Sequence, residues 1–239
     1  MLIWKNEEFR SKGIIVENIP KPTKGKKNID IYTVAGRSGF LSVDNETYQS
    51  VLIEAECHFN ENVDKDTIFD YLDGYGTISL DGRRQSTAVI QNQIPLEKVD
   101  RFNRFIVQFL TNPIFEDIDY TEYEVTSGET NYLEIENSLA KIYPKITIEC
   151  TGDVAITINN QTFYLFDANG TYVLDCKNKV ITQNNNNASS KMSNDFPFLE
   201  NGRNAISYTG TITSFLIEYK KTYLVGWLNE HIRKRNNKF

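Results

Sequence analysis

Hydrophobic and polar residues alternate along most of this chain. Between Val51 and Phe59, the residues Val51, Ile53, Ala55, Cys57 and Phe59 fall on one side and Leu52, Glu54, Glu56 and His58 on the other. A period of two is that of an extended strand with one buried and one wet face. Similar runs predict strands at 29–34, 77–80, 87–90 and 105–110. Thirteen Tyr and fourteen Phe suit such pleated, half-buried surfaces. One segment departs from the pattern. Ile68 and Leu72 are four apart, Asp64 and Asp66 precede them and Gly74 follows. That spacing predicts a short amphipathic helix over 63–74, with acids at its positive end and glycine past its last turn.

Around Asn112-Pro113 the last strong strand of this half stops, because proline cannot donate to a ladder and restrains the residue before it. An acidic, loosely patterned stretch (116–123) follows. A second series of short strands is then predicted at 146–149, 154–158, 161–165, 171–175, 180–182, 205–208 and 214–219. Thr151-Gly152-Asp153, Asn159-Asn160, Asn169-Gly170, Asn201-Gly202 and Thr209-Gly210 read as the turns between them. Short strands with regular turns predict a β-sandwich. The fold class is therefore mainly β: an N-terminal β-rich domain with one short α-helix, then a C-terminal sandwich. The boundary falls between 113 and 135, giving domains 1–130 and 131–224 and a short basic extension, 225–239. The polar stretch 183–190 reads as a mobile loop. Leu228 and Ile232, followed by basic residues, predict a short terminal helix.

Composition narrows the chemistry. At 239 residues and 27.5 kDa, with 40% hydrophobic and 24% charged residues, the chain is an ordinary globular one. It can bury roughly 70% of its unfolded surface without a disulfide or metal staple. A net charge of -6 and pI near 5.1 argue against a general nucleic-acid binder. Two histidines, His58 and His231, leave little for a histidine-based dyad or metal cage. Cys57, Cys150 and Cys176 are odd in number and far apart, so folding in a reducing compartment is expected, without a disulfide framework. The first residues lack the basic and apolar regions of a signal peptide. No apolar run approaches the roughly 20 residues that cross a bilayer.

Each candidate site has a plain structural alternative. Glu54, Glu56 and His58 share a strand face, but neighbours on one strand lie about 6–7 Å apart, too wide for one ion; a solvated face is preferred. Gly74-Tyr75-Gly76 and Gly36-Arg37-Ser38-Gly39 lack the following helix, and the lysine, of a phosphate loop, so both read as tight turns. No serine or cysteine has a positioned base, and nothing singles out two of the many carboxylates for glycoside hydrolysis. The loop 20–27 holds Lys21, Lys24, Lys26 and Lys27 without interleaved aromatics, which suits a solvated loop or docking to a partner better than nucleic acid. Trp227 and the tyrosines fill cores or seams, with stacking on sugar rings as the alternative. No catalytic residue, cofactor or metal is assigned.

The order of features resembles a known family. Ile3-Trp4 is followed by Gly13-Ile14-Ile15-Val16 and a lysine-proline stretch. Then come Val34-Ala35-Gly36-Arg37-Ser38-Gly39-Phe40-Leu41, the Ile68-to-Gly76 helix and turn, and Phe109-Leu110-Thr111-Asn112-Pro113. The second half offers Asp175, Asp195-Phe196-Pro197-Phe198-Leu199 and Asn201-Gly202-Arg203-Asn204. In this order they resemble the distal tail (Dit) proteins of siphophages that infect Gram-positive hosts, to about Leu224. Arg203 stands where a Gly-Glu-Asn turn carries glutamate, and 225–239 lies outside the pattern. The resemblance marks Trp4, Gly36, Arg37, Gly39, Gly74, Gly76, Pro113, Pro197 and Gly202 as family-motif structural residues.

It implies a non-enzymatic baseplate hub in the virion tail tip, assembled in the host cytoplasm. Its N-terminal domain would close a homohexameric ring, and its C-terminal domain would be galectin-like. Implied partners are the major tail tube protein, the tail-associated lysin or tip protein, and side fibres or a receptor-binding protein. Neither nucleic-acid reading nor membrane insertion is implied. The alternative is a carbohydrate-binding module that contacts a host-wall saccharide.

Overall fold

The computed structural model describes residues 1–18, 20–21, 23–126, 130–139 and 141–224. The terminal helix expected after residue 224, with Trp227 and His231, lies outside them. The described residues form two compact units, one of Met1–Glu116 with Tyr223 and Leu224, the other of Asp117–Thr222. The division falls at Glu116–Asp117. The physical cause is that Thr121–Glu124 pairs with the long strand Gly202–Tyr219 and so belongs to the second sheet.

In the first unit the strands are β1 (Ile3–Trp4), β2 (Ile14–Asn18), β3 (Lys27–Tyr32), β4 (Leu41–Tyr48) and β5 (Val51–Asn60). Helix α1 (Lys65–Tyr71) precedes β6 (Tyr75–Ser79), β7 (Arg84–Ile90) and β8 (Phe102–Thr111). The main sheet is antiparallel in the order β1-β6-β7-β8-β5-β2. The alternation read in β5 is realised. Val51, Ile53, Ala55, Cys57 and Phe59 are buried, and they meet Phe105, Val107 and Phe109 of β8 in one core. The helix forms as its spacing demands. The Asp64 carboxylate accepts from the N–H groups of Asp66 and Thr67 and from the Thr67 hydroxyl (2.8 Å), while Ile68, Tyr71 and Leu72 turn inward. Hydrogen bonding to Thr67 is the main reason the Asp64 carboxyl sits below its ordinary pKa. Where the chain re-enters this unit, the Arg84 guanidinium stacks 3.4 Å from the Tyr223 ring.

The second unit is built on three long strands. Its elements are β9 (Thr121–Glu124), β10 (Asn131–Ile135), β11 (Lys145–Ile158), β12 (Gln161–Asp175), β13 (Val180–Gln183), β14 (Asn186–Asn187), β15 (Met192–Ser193) and β16 (Gly202–Tyr219). They run β9-β16-β11-β12-β13-β14, with β10 on β16 and β15 on β12. Six of the strands expected from sequence are thus halves of three continuous ones. Gly152-Asp153, Asn169-Gly170 and Thr209-Gly210 are not turns between strands but lie within them. Near the middle of these strands the register slips, between Gly152 and Val154 and again along β16. A slip of one residue moves the buried set to the other parity. On β12 the inward residues pass from Phe163 and Leu165 to Ala168, Tyr172 and Leu174; on β16 they pass from Ile206 to Phe215, Ile217 and Tyr219. Both ends of each strand therefore feed one core. Asp153 Oδ1 accepts the Asp167 N–H at 2.9 Å, with Asp167 itself at φ 43°.

Asn159-Asn160 does make a hairpin turn, between β11 and β12, with Asn159 at φ 54°. The stretch 183–190, expected to be a loop, carries a second hairpin. Asn184 and Asn185 both take positive φ between β13 and β14, the backbone that a two-residue turn needs.

Candidate assembly surface

Strands β3 and β4 form a two-stranded ribbon that pairs with no other described strand. Its exposed apolar side chains include Ile29, Ile31, Tyr32, Val34, Phe40, Leu41 and Val43, between 39% and 66% accessible. Residues opposite each other share a face. The pairs Ile29–Asp44 and Ile31–Ser42 lie on one side, and Asp30–Val43 and Tyr32–Leu41 on the other. The ribbon is apolar on both faces. A lone hairpin in water is marginal, and an exposed apolar patch of this kind marks an interaction surface.

The root of this arm is fixed by packing. A Cβ on the buried Gly25 would stand 2.6 Å from the Gln49 carbonyl oxygen and 2.9 Å from Pro113 Cβ, so only glycine lets the chain pass there. Lys27 pairs with Asp44 across the strands, and Lys24 and Lys27 both lie over the Tyr48 ring. Lys24 and Lys27 of the basic loop are thereby drawn to the arm's base. At the tip, Gly36 and Gly39 have φ of 78° and 92° with open space around them. Arg37 lies between them, exposed, its N–H bonded to the Val34 carbonyl. The run 34–41 is thus the loop of the arm. Sequence reading found β3 but missed β4. Its signal was alternation in Leu41 and Val43, masked because the ribbon is apolar on both sides.

The other motif residues are spread through both units. Trp4 is fully buried, with its ring centroid 5.1 Å from that of Phe109. Gly76 lies beneath it, since a Cβ there would be 3.2 Å from the indole. Gly74, at φ 69°, turns the chain from α1 into β6. In the second unit Pro197 is buried, and Gly202 opens β16 at φ 99°. Two residues later Asn204 is fully buried: its side chain donates to the Leu133, Glu200 and Gly202 carbonyls and accepts from Glu200 N–H and Asn159 Nδ2. It ties together β10, the turn into β16 and the β11–β12 turn.

The acidic strand face is occupied by side-chain pairs. His58 Nδ1 is 2.8 Å from Glu17, which also pairs with Arg104, while Glu56 accepts from Asn18 and Glu54 from Gln108. Among the described residues no cluster of His, Cys, Asp or Glu is placed to hold a metal ion. Burial pushes the Cys57 and Cys176 thiols up to about 12, with nearby carboxylates adding to it, so neither is a poised nucleophile.

Comparison with known proteins agrees with this geometry. Residues 137–223 match the family described as siphovirus-type tail component, C-terminal domain. No curated protein matches the chain in sequence. Among solved structures, the Dit protein of phage SPP1 superposes with a TM-score of 0.75, covering 93% of this chain and 98% of that one at 9% identity. It is described as a paradigm of the hub adsorption apparatus in phages infecting Gram-positive bacteria. At that identity the likeness shows the fold. The chain is a structural phage tail component with a Dit-like, mainly β fold.

Proposed function

We propose that this protein is a distal-tail hub that closes a ring in the tail tip, with the β3–β4 arm of each copy laid against the next. The observation that carries this reading is the arm itself, apolar on both faces and unpaired among the described strands. A heterologous contact repeated about an axis that closes gives a ring of fixed number, and six copies is the number the resemblance implies. The arm would be buried in the assembly, which explains why its faces need not be polar. On this reading the tube protein, the tip protein and fibres or a receptor-binding protein are its neighbours. The protein makes and breaks no bonds, and assembly takes place in the host cytoplasm.

The test is the double variant Ile31→Lys, Phe40→Lys. Both side chains are more than 60% exposed, so the thermal melt of the monomer should not move. Loss of the oligomer in sedimentation velocity supports the arm as the ring contact. An oligomer that survives both charges excludes it.

A further inference from the structure

β1 and β2 lie at opposite ends of the main sheet's order, yet residues at both ends line one cavity of about 510 Å³ in the first unit. The sheet therefore curls toward a seam. Leu2, Phe9, Ile14 and Leu80 are the cavity's buried walls, and Ile15 stands half-exposed at its lip. On the seam side, β2 pairs with no described strand. Glu8 and Arg10 are exposed at the mouth, and neither has an ion pair among the described residues. A cavity of this size and lining suits an apolar group oriented by a few polar ones.

The chain itself brings such a group to this place. Tyr223 stacks on the Arg84 guanidinium, and Arg84 closes the turn that starts at Leu80 of the cavity wall. Within that turn Gly82 lies against Met1, another lining residue, since a Cβ there would collide with Met1 Cε. From Leu80 to Arg84 the backbone spans at most about 14 Å, and from Tyr223 to Leu228 it reaches about 17 Å. After Leu224 the sequence reads Val225-Gly226-Trp227-Leu228-Asn229-Glu230-His231-Ile232-Arg233. Trp227 and Leu228 thus come within reach of the cavity. Glu230 and Arg233 follow them, with charges opposite to those of Arg10 and Glu8. A foreign peptide would bind from dilute solution, whereas a tethered segment competes at millimolar effective concentration. We propose that the segment 225–239 folds back on its own first unit, with Trp227 and Leu228 seated in this cavity as a plug over the seam between β1 and β2. The proposal does not rest on the ring.

The chain has two tryptophans, and Trp4 is fully buried. Acrylamide quenching of the full-length protein, less that of Trp227→Phe, therefore reads Trp227 alone. A seated-to-free ratio of ten, about 1.4 kcal/mol, makes its quenching about tenfold weaker than in the urea-unfolded chain, and that shielding is expected. Ile15→Glu puts a charge at the lip without altering the buried walls. It should restore most of the Trp227 quenching while Trp4 stays shielded, which shows that the fold is kept. The measurement is repeated at serial dilution and in the Ile31→Lys, Phe40→Lys variant, with light scattering in line. Shielding of Trp227 should not depend on the state of assembly, so the plug and the ring are read separately. Quenching of Trp227 as strong as in urea overturns the proposal. So does shielding that Ile15→Glu leaves intact, or shielding that appears only in assemblies, which would seat the segment in a second copy.

Discussion

Trp4 and Tyr71 are joined by a reciprocal pair of hydrogen bonds. Trp4 Nε1 donates to the Tyr71 carbonyl at 3.0 Å, and the Tyr71 hydroxyl donates to the Trp4 carbonyl at 3.1 Å and to the Glu7 carbonyl at 2.8 Å. Two residues that are 67 positions apart thus clamp the end of α1 onto β1. Tyr71→Phe keeps the ring packing and removes the donor from two carbonyls, so about 1–2 kcal/mol of stability is expected to be lost. Trp4→Ala should cost about 3–5 kcal/mol through the cavity it leaves. Urea unfolding followed by circular dichroism checks both. Equal losses would mean that the indole is not central to the core.

Asn204 is the corresponding clamp in the second unit. Asn204→Leu is close in volume but leaves the Leu133, Glu200 and Gly202 carbonyls and the Glu200 N–H without this partner. At about 1–3 kcal/mol per unsatisfied buried group, the loss should reach at least ~2 kcal/mol and be seen as a lower urea midpoint. A midpoint within error of wild type would show that the turn satisfies itself.

Two glycines at positive φ separate conformational from steric demand. A Cβ on Gly210 (φ 100°) would meet the Asp153 carbonyl oxygen at 2.5 Å and Val154 Cγ1 at 2.7 Å, whereas at Gly39 (φ 92°) it meets nothing. Gly210→Ala should therefore break the central bulge and leave little soluble protein. Gly39→Ala should cost only about 1 kcal/mol, the strain of the left-handed backbone. Soluble yield and melting temperature distinguish the two.

Alkaline pH should unfold the protein through its thiols. Burial raises Cys57 and Cys176 from 9.0 to about 12, and burial also raises Tyr71. Because the folded pKa lies above the unfolded one, the neutral thiol is favoured in the folded state. That contribution is complete below about pH 9 and is lost as pH rises toward 12, at about 1.4 kcal/mol per pH unit per thiol. Cys57→Ala and Cys176→Ala should each flatten the fall in stability measured by denaturant titration between pH 9 and 11. An unchanged slope would contradict the assignment.

Much of this architecture was legible in the chain because burial on one face writes its period into the residues. Val51 to Phe59 and Ile68 to Leu72 are the plain cases. The long strands were not legible as such. Gly152-Asp153 and Thr209-Gly210 carry the same residues whether a chain turns back or bulges, and only pairing with a neighbouring strand decides which. The arm was half hidden for a different reason. Its ribbon pairs with no other described strand and its apolar side chains are exposed, so Ile31, Tyr32 and Phe40 fit neither a buried nor a wet face. The family motif Asn201-Gly202-Arg203-Asn204 was visible as a turn, but that Asn204 is the buried knot beneath it follows only from three segments meeting.

The most direct test of the account is the mass of the full-length protein in solution, measured by multi-angle light scattering over a wide concentration range. A single discrete species at six times the 27.5 kDa chain is expected, converting to monomer in the Ile31→Lys, Phe40→Lys variant. A mass of one chain at every concentration, or an open series of growing assemblies, would contradict a closed ring built on the arm.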